Sequence, residues 1–508
     1  QLILLITKPF AAIVLALIYH CLGKLPLPLY FKTMVQGVEI KDGIIQNINP
    51  ATGELIEPHV AVTTPSELAH VIQKANEAQL AWSDVLLSER IALLRKAMAN
   101  VANFSDELRE TITKEMGKVV AEAKSEVDNA VALKDGWLDL IEEANQDVHL
   151  GSGKEGEPES IIVRDAFGVV VVLSPWNFPV GEIPLLVLPA LAAGNTVIVK
   201  PSEVTPLCGA FICKAIAEVL PDGVLQVVQG DGAVGEQLVT SDDVHMVAMT
   251  GSSATGKRIM EKCAKNLKRV VLELGGKDPM IVFADADLDK AANDAVTNSL
   301  FNAGQVCCSV ERVYVEESVK TQFEQKVIDL AKDWKVGNPT EDNVKMGPMV
   351  SKTQMAIVKE QVAKAVDAGA TLLFESEVPE VGGNFYPVTV LSDLTQDMTI
   401  QKKETFGPVV SIAAFDGSEK EAVRLSNDTE YGLASYVYTC DLQKGARVGR
   451  KIRSGQVGIN CYSLVCAQAK CPWVGHKGSG MGSHSGMDGF RSFSAPKSLV
   501  FNTNAPTL

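Results

Sequence analysis

Between residues 65 and 103 apolar side chains return every three to four positions: Leu68, Val71, Ile72 and Ala75, then Ile91, Leu94, Met98 and Val101. That period predicts amphipathic helix. A further helix is expected over 105–143. The stretch 151–160, GSGKEGEPES, breaks the pattern with turn residues and reads as a linker or a hairpin tip. Short β-branched runs then appear at 168–173, 196–200, 224–228, 244–249 and 269–274, with helical stretches at 181–193, 206–220, 232–240 and 253–266 between them. Strand and helix alternating at this spacing predict a parallel sheet with helices on both faces, a doubly wound arrangement. Such sheets bind ligands at the carboxyl ends of their strands. A second α/β unit begins near Gly275, with strands expected at 280–283, 312–315 and 409–415 and helices over 287–301, 319–332 and 352–368. The run 498–502 (SLVFN) reads as a terminal strand that could pair with another subunit.

Composition narrows the class. At 508 residues, 46% hydrophobic and 21% charged, the chain is long enough for two or three domains. Its net charge is −15 and no Lys/Arg cluster stands out, which argues against a nucleic-acid partner. The ten cysteines include no CxxC pair and no zinc spacing, so no metal is expected and a reducing compartment fits.

The N-terminal segment 1–31 differs from the rest. Residues 10–22 are apolar but for His20, and 2–22 together are long enough to span a bilayer. A membrane anchor, a secretory segment and a buried helix are all open. With Lys24 and Lys32 beyond the apolar run, the expectation is a membrane-anchored protein whose catalytic body faces the cytoplasm, the alternative being a soluble one.

Candidate chemistry gathers at strand ends. Gly230, Gly232 and Gly235 match GxGxxG between a strand and a helix, yet no acidic residue ends the next strand to hold a ribose. Gly251 and Ser252 instead open a helix directly after 244–249, where pyrophosphate binds well. Trp176 and Asn177, in SPWNFP, sit in a rigid turn: a packed loop, or an immobilised amide donor. Lys200 and Glu203, in KPSE, are either an exposed salt bridge or ribose ligands. Glu273, before Leu274, Gly275 and Gly276, is either solvated or a general base in a dry cleft. Cys307 and Cys308 follow Gly304 and Gln305; buried cysteines are often inert fillers, and spacing alone does not separate the pair.

Together SPWNFP, KPSE, MTGSSATG, ELGGK, GQVCC, ETFGPV (404–409) and NCY (460–462) resemble the aldehyde dehydrogenase superfamily in order and spacing, over about 48–500. The resemblance implies two Rossmann-like doubly wound domains plus a small oligomerisation hairpin and strand. Residues 32–150 and 164–274 would bind the cofactor, 275–477 would be catalytic, and 151–163 with 478–508 would assemble a homodimer or homotetramer. It also implies the roles. Cys307, two after Gln305, is the nucleophile; Asn177 is half of the oxyanion hole; Glu273 activates water. Lys200 and Glu203 resemble the adenosine-ribose pair, Ser252 a pyrophosphate contact and Glu404 the nicotinamide-ribose ligand, with Phe406, Trp176, Gly251 and Gly275 alongside. The implied reaction takes an aldehyde to a carboxylic acid through a thioester. NAD is favoured over NADP because Glu203 would repel a 2′-phosphate. Coenzyme A acylation is the rival within the family, and relatives of that type generally lack the glutamate. A non-catalytic protein keeping the fold is the rival from another class. Two departures stand out: Leu186 occupies a place where many relatives have lysine, and 472–486 reads PWVGHKGSGMGSHSG rather than PFGG…SGxGR.

Overall fold

The first helical period becomes two helices, Pro65–Ser83 and Leu87–Val101. Thr64 starts the first one: its Oγ1 accepts from the Glu67 N–H at 3.3 Å, and the Glu67 carboxylate accepts from the Thr64 N–H at 2.8 Å. This reciprocal cap satisfies two backbone donors that the helix itself leaves over. The single helix expected over 105–143 is three instead: Ser105–Glu115, Val120–Ala132 and Trp137–Asn145. Gly117 and Gly136 turn the chain through the left-handed region, at φ +88° and +62°, and end the helical run there. The apolar period carries on across both turns, so hydrophobic spacing alone reads one element where there are three.

The computed structural model describes residues 38–151, 159–380 and 382–501, all within one compact unit, Val38–Leu508. Three short strands, β1 (Ile40–Lys41), β2 (Ile44–Ile45) and β3 (Val60–Ala61), form a small antiparallel sheet. A hairpin follows from β4 (Val148–His149) to β5 (Glu159–Ala166); the tip expected in 151–160 lies mostly outside the described residues. Next come β6 (Val169–Leu173), β7 (Thr196–Lys200), β8 (Leu225–Val227), β9 (Met246–Thr250) and β10 (Arg269–Glu273). They make a parallel sheet in the order β10-β9-β6-β7-β8. Chain order reverses between β6 and β9, the crevice where such sheets take ligands.

Successive side chains of these strands fall into different cores. Val170, Val172, Val197 and Val199 join one apolar cluster with Leu94, Ile183 and Ile212, while Val169, Val171 and Ile198 join another with Leu68 and Ile72. Helices therefore cover both faces, and strands buried on both sides are continuous apolar runs.

After β10 only four residues, 274–277, lead into the second large sheet. Its strands are β11 (Asp278–Val282), β12 (Val310–Glu316), β13 (Thr371–Glu375), β14 (Thr389–Ser392), β15 (Val409–Phe415), β16 (Tyr436–Tyr438) and β17 (Gly458–Ile459), in the order β13-β14-β15-β12-β11-β16-β17. Only β13 runs antiparallel to its neighbour. β18 (Gly480–Met481) returns to the first sheet and pairs antiparallel with β10. The expected terminal strand is longer than its apolar run: β19 (Ser494–Phe501) pairs along all of β5, and residue 502 lies outside the described residues.

The membrane-anchored placement is corrected. Among the described residues no helix is long and apolar enough to cross a membrane. The segment on which that expectation rested, 2–22, lies outside the described residues.

Candidate active site

Four neighbouring strand ends of the first sheet carry the marked residues. β6 runs into Trp176 and Asn177, β7 ends on Lys200, β9 ends on Thr250 before Gly251 and Ser252, and β10 ends on Glu273. The nucleophile candidate comes from the second unit. Helix Leu288–Leu300 leads into a tight turn, Phe301–Gly304, and β12 begins at Val310. In that turn Asn302, Ala303 and Gly304 are all left-handed, at φ +54°, +53° and +70°. Non-glycine residues there cost of order 1 kcal/mol or more each and persist only where the surroundings enforce them.

The enforcement is a web of hydrogen bonds. The Asn302 side-chain amide donates to the Asn177 and Gln305 carbonyls, each at 3.1 Å, and its N–H donates to Glu122 at 3.0 Å. Gln305 accepts from the Val350 N–H and donates to the Asn302 carbonyl, both at 3.0 Å. Asn177 donates from Nδ2 to the Gln305 carbonyl at 3.1 Å. Two positions before Cys307, the chain is thus fixed to the oxyanion candidate.

Burial separates the vicinal cysteines, which spacing did not. Cys308 is fully buried, its Sγ 3.1 Å from the Tyr462 hydroxyl and its carbonyl accepting from Tyr436 at 2.7 Å. Cys307 is half-buried. Contact with the Cys308 thiol pushes the Cys307 pKa well up, and burial and the negative charges of Glu182 and Asp278 add to this.

Glu273 is 2% exposed, and neither carboxylate oxygen meets a hydrogen bond of ordinary length and angle. Burial drives its pKa well above the usual carboxylate range. Glu182 pushes the same way, and the Trp473 indole pulls, more weakly, against both. The segment after Glu273 touches the cysteine turn directly: a Cβ on Gly276 would lie 2.2 Å from the Cys307 carbonyl oxygen. A Cβ on Gly275 would lie 2.6 Å from a Glu404 oxygen, and the Gly276 N–H donates to Glu404 at 2.9 Å. Only glycine admits the approach at 276, whereas a side chain at 275 would push the Glu404 carboxylate aside. Glu404 is half-buried; desolvation and then the charge of Glu311 push it up to about 8. Phe406 packs edge-on against Trp176, ring centroids 5.3 Å apart, which places both beside the same end of the first sheet.

Lys200 and Glu203 form a buried cradle rather than an exposed bridge. Lys200 Nζ donates to the carbonyls of Gly230 at 2.6 Å and Pro201 at 2.8 Å, and to Glu203 at 3.4 Å. The first glycine of the GxGxxG run therefore gives its carbonyl to the lysine. Helix Gly232–Thr240 is already capped by the carboxylate of Asp231, which accepts from the Ala233 N–H at 2.9 Å, and an anion there would meet like charge. Ser252, exposed, caps helix Ser253–Ala264 with a neutral hydroxyl, leaving that N-terminus electropositive.

Sequence reasoning missed Glu182, Thr250, Asn302 and Trp473. Trp473 lies inside the stretch that departs from the family pattern, which was the available signal. Thr250 lies inside MTGSSATG without a role of its own, and nothing local marks Glu182 or Asn302; all three acquire meaning through what the fold sets beside them.

A doubly wound sheet with a thiol, a dry carboxylate and an amide near its ligand-binding end places the chain in the α/β oxidoreductase class. Within it, the match is specific: the model of the aldehyde dehydrogenase family fits residues 38–499, and the chain belongs to that family. It is 35% identical over 449 residues to a succinate-semialdehyde dehydrogenase [NADP(+)] of Escherichia coli, covering 88% of this chain and 92% of that one. Among solved structures, it matches lactaldehyde dehydrogenase from Escherichia coli with a TM-score of 0.84 and 34% identity, over 91% and 97% of the two chains. It matches betaine aldehyde dehydrogenase from Staphylococcus aureus in complex with NAD+ with a TM-score of 0.85 and 33% identity, over 92% of each chain.

Proposed function

We infer that this protein oxidises an aldehyde to the free carboxylic acid with NAD(P) as acceptor, through a thioester on Cys307 hydrolysed by water that Glu273 activates. One observation carries this reading: the turn bearing the half-buried Cys307 packs, at Gly276, against the segment that follows a buried carboxylate, Glu273, left without a hydrogen bond of ordinary length and angle. Buried polar groups are almost always paired for stability, so an unpaired one needs a chemical reason.

The residue roles follow from the environments. With its pKa held up, Cys307 rests as a thiol, and its thiolate needs a base or a positive charge nearby. The Asn177 amide has a second N–H beyond the one given to Gln305, and with the Cys307 backbone N–H it would hold the oxyanion formed on thiolate attack. Glu273 then takes a proton from water as the water oxygen attacks the thioester carbon and the thiolate leaves. The crevice fits a dinucleotide: Glu203 and Lys200 suit the adenosine ribose, Ser252 the pyrophosphate and Glu404 the second ribose. Trp176, Phe406, Gly251 and Gly275 border it. Bound there, the oxidised nicotinamide supplies a positive charge and accepts hydride. Glu203, 12% exposed and beside Lys200, favours NAD over NADP.

We assign 32–150 and 164–274 to cofactor binding, 275–477 to catalysis, and 151–163 with 478–508 to oligomerisation, except that β18 completes the first sheet. An edge strand exposing Leu499, Val500 and Phe501 supports pairing with a second copy as a homodimer or homotetramer, to be checked by light scattering.

The test is NADH formation over succinate semialdehyde, lactaldehyde, betaine aldehyde and longer aliphatic and aromatic aldehydes, with Cys307→Ala alongside. NADH from no aldehyde, or full activity in the alanine variant, would overturn the reading. Acyl-CoA appearing when coenzyme A is added would replace hydrolysis with acyl transfer.

A further inference from the structure

A second carboxylate, half-buried, acts on Glu273. Glu182 opens the helix Glu182–Ala192, five residues after Asn177. β9 and β10 run parallel with Thr250 opposite Glu273, and neighbouring strands lie about 4.8 Å apart. Thr250 Oγ1 donates to Glu182 Oε2 at 3.4 Å. Glu182 thus hangs from the residue directly across the sheet from Glu273. Its approach is fixed from the other side, where Glu126 Oε1 accepts the N–H groups of Val180 and Gly181, each at 2.9 Å. The other oxygen of Glu126 holds the Lys118 ammonium at 2.5 Å, both side chains buried. Leu186, one turn along the same helix, is fully buried and carries no proton.

Every turnover leaves Glu273 with a proton it must lose, and Glu273 itself is almost sealed from solvent. Glu182 is partly exposed. We propose that Glu182 receives from Glu273 the proton taken from the hydrolytic water and releases it towards solvent.

This rests on the thioester-hydrolysis reading. The balance is simple: the water O–H breaks, its proton joins a Glu273 oxygen, the C–O bond forms and the C–S bond breaks. The same proton then passes from Glu273 to Glu182, with no further heavy-atom bond changed and no electron transferred. Two carboxylates this close do not both ionise readily, so one proton is shared by the pair. The groups facing Glu182 are Glu126 and Lys118, Thr250 and Glu273 of the sheet, and the two cysteines. Burial and then Glu126 raise Glu182 to about 7, against Thr250 and Lys118. That value suits a group that loads and unloads at neutral pH.

The probe is p-nitrophenyl acetate, which acylates a reactive thiol without cofactor, so a burst of p-nitrophenolate reports acylation and the steady state reports hydrolysis. Glu182→Gln is expected to keep its burst, to lose about tenfold or more of its steady-state rate, and to lose the ionisation near 7 from its pH profile. Imidazole in the buffer should restore the rate in proportion to its concentration. Thr250→Val should move the steady-state rate in the same direction by less, a check that survives if Glu182→Gln folds poorly. An unchanged rate and pH profile in Glu182→Gln, burst and steady state falling together without imidazole rescue, or a change in KM alone for cationic aldehydes would overturn the proposal. A wild-type enzyme with no burst, or a burst retained in Cys307→Ala, would instead overturn the hydrolysis reading and the proposal with it.

Discussion

Glu273 and Glu311 lie in adjoining sheets, at 2% and 5% exposure, and the chain treats them in opposite ways. Glu311 takes the Lys277 ammonium at 2.6 Å and the backbone N–H groups of Thr405 and Phe406, each at 2.8 Å. Its charge is fully paid for in hydrogen bonds. Glu273 meets none of comparable quality. Glu311 holds the segment that carries Glu404 and Phe406; Glu273 is left without such partners. Equal burial therefore says little about role, and the count of partners says much.

Several measurements would break this contrast or sharpen it. The largest effect is expected for Glu273→Gln, with kcat lower by about 100- to 10,000-fold, folding stability unchanged or improved, and the NADH burst retained. A large loss of stability instead would make Glu273 structural. Lys277→Met should do the reverse, costing about 3–5 kcal/mol in denaturant unfolding because it strands a buried charge. Much of that should return in Lys277→Met/Glu311→Leu.

A pH series comes next. An acid whose folded pKa exceeds its unfolded value binds more protons when folded, so stability is present at low pH and lost as pH rises through that range. For Glu182 the window runs from 4.5 to about 7, and Glu182→Gln should flatten unfolding free energy against pH within it. An unchanged slope would mean that Glu182 is solvated.

Glu203 lies between the two extremes, half satisfied by Lys200. Glu203→Gln should narrow the preference of kcat/KM for NAD over NADP by about tenfold, the scale of one lost charge contact. A variant as selective as the parent would move discrimination elsewhere.

The strands were legible because burial on both faces writes them as unbroken apolar runs, and Asn177, Glu273 and Cys307 because short motifs carried them. β13, β14, β16 and β17 were not anticipated. β13 is largely exposed, and the other three are only four, three and two residues long, too brief for any period to register. Glu182 was invisible for a different reason: a glutamate at a helix start reads as an ordinary dipole partner. Its setting comes from Thr250, 68 residues away. The vicinal cysteines were told apart by the GQVCC motif of the resemblance where bare spacing left them equal, and burial distinguishes them as well.

The Ser479 hydroxyl donates to the Gly275 carbonyl at 2.6 Å and accepts from the Gly432 N–H at 2.9 Å, while its carbonyl takes the Leu274 N–H at 2.9 Å. With β18 alongside, the segment bearing Trp473 is stitched to the strand bearing Glu273. Anyone transplanting residues 461–478 from a relative, to change what the enzyme accepts, inherits this seam. A graft that preserves Ser479 and the Gly480–Glu273 pairing leaves Glu273 in place; one that slips a single residue there displaces it.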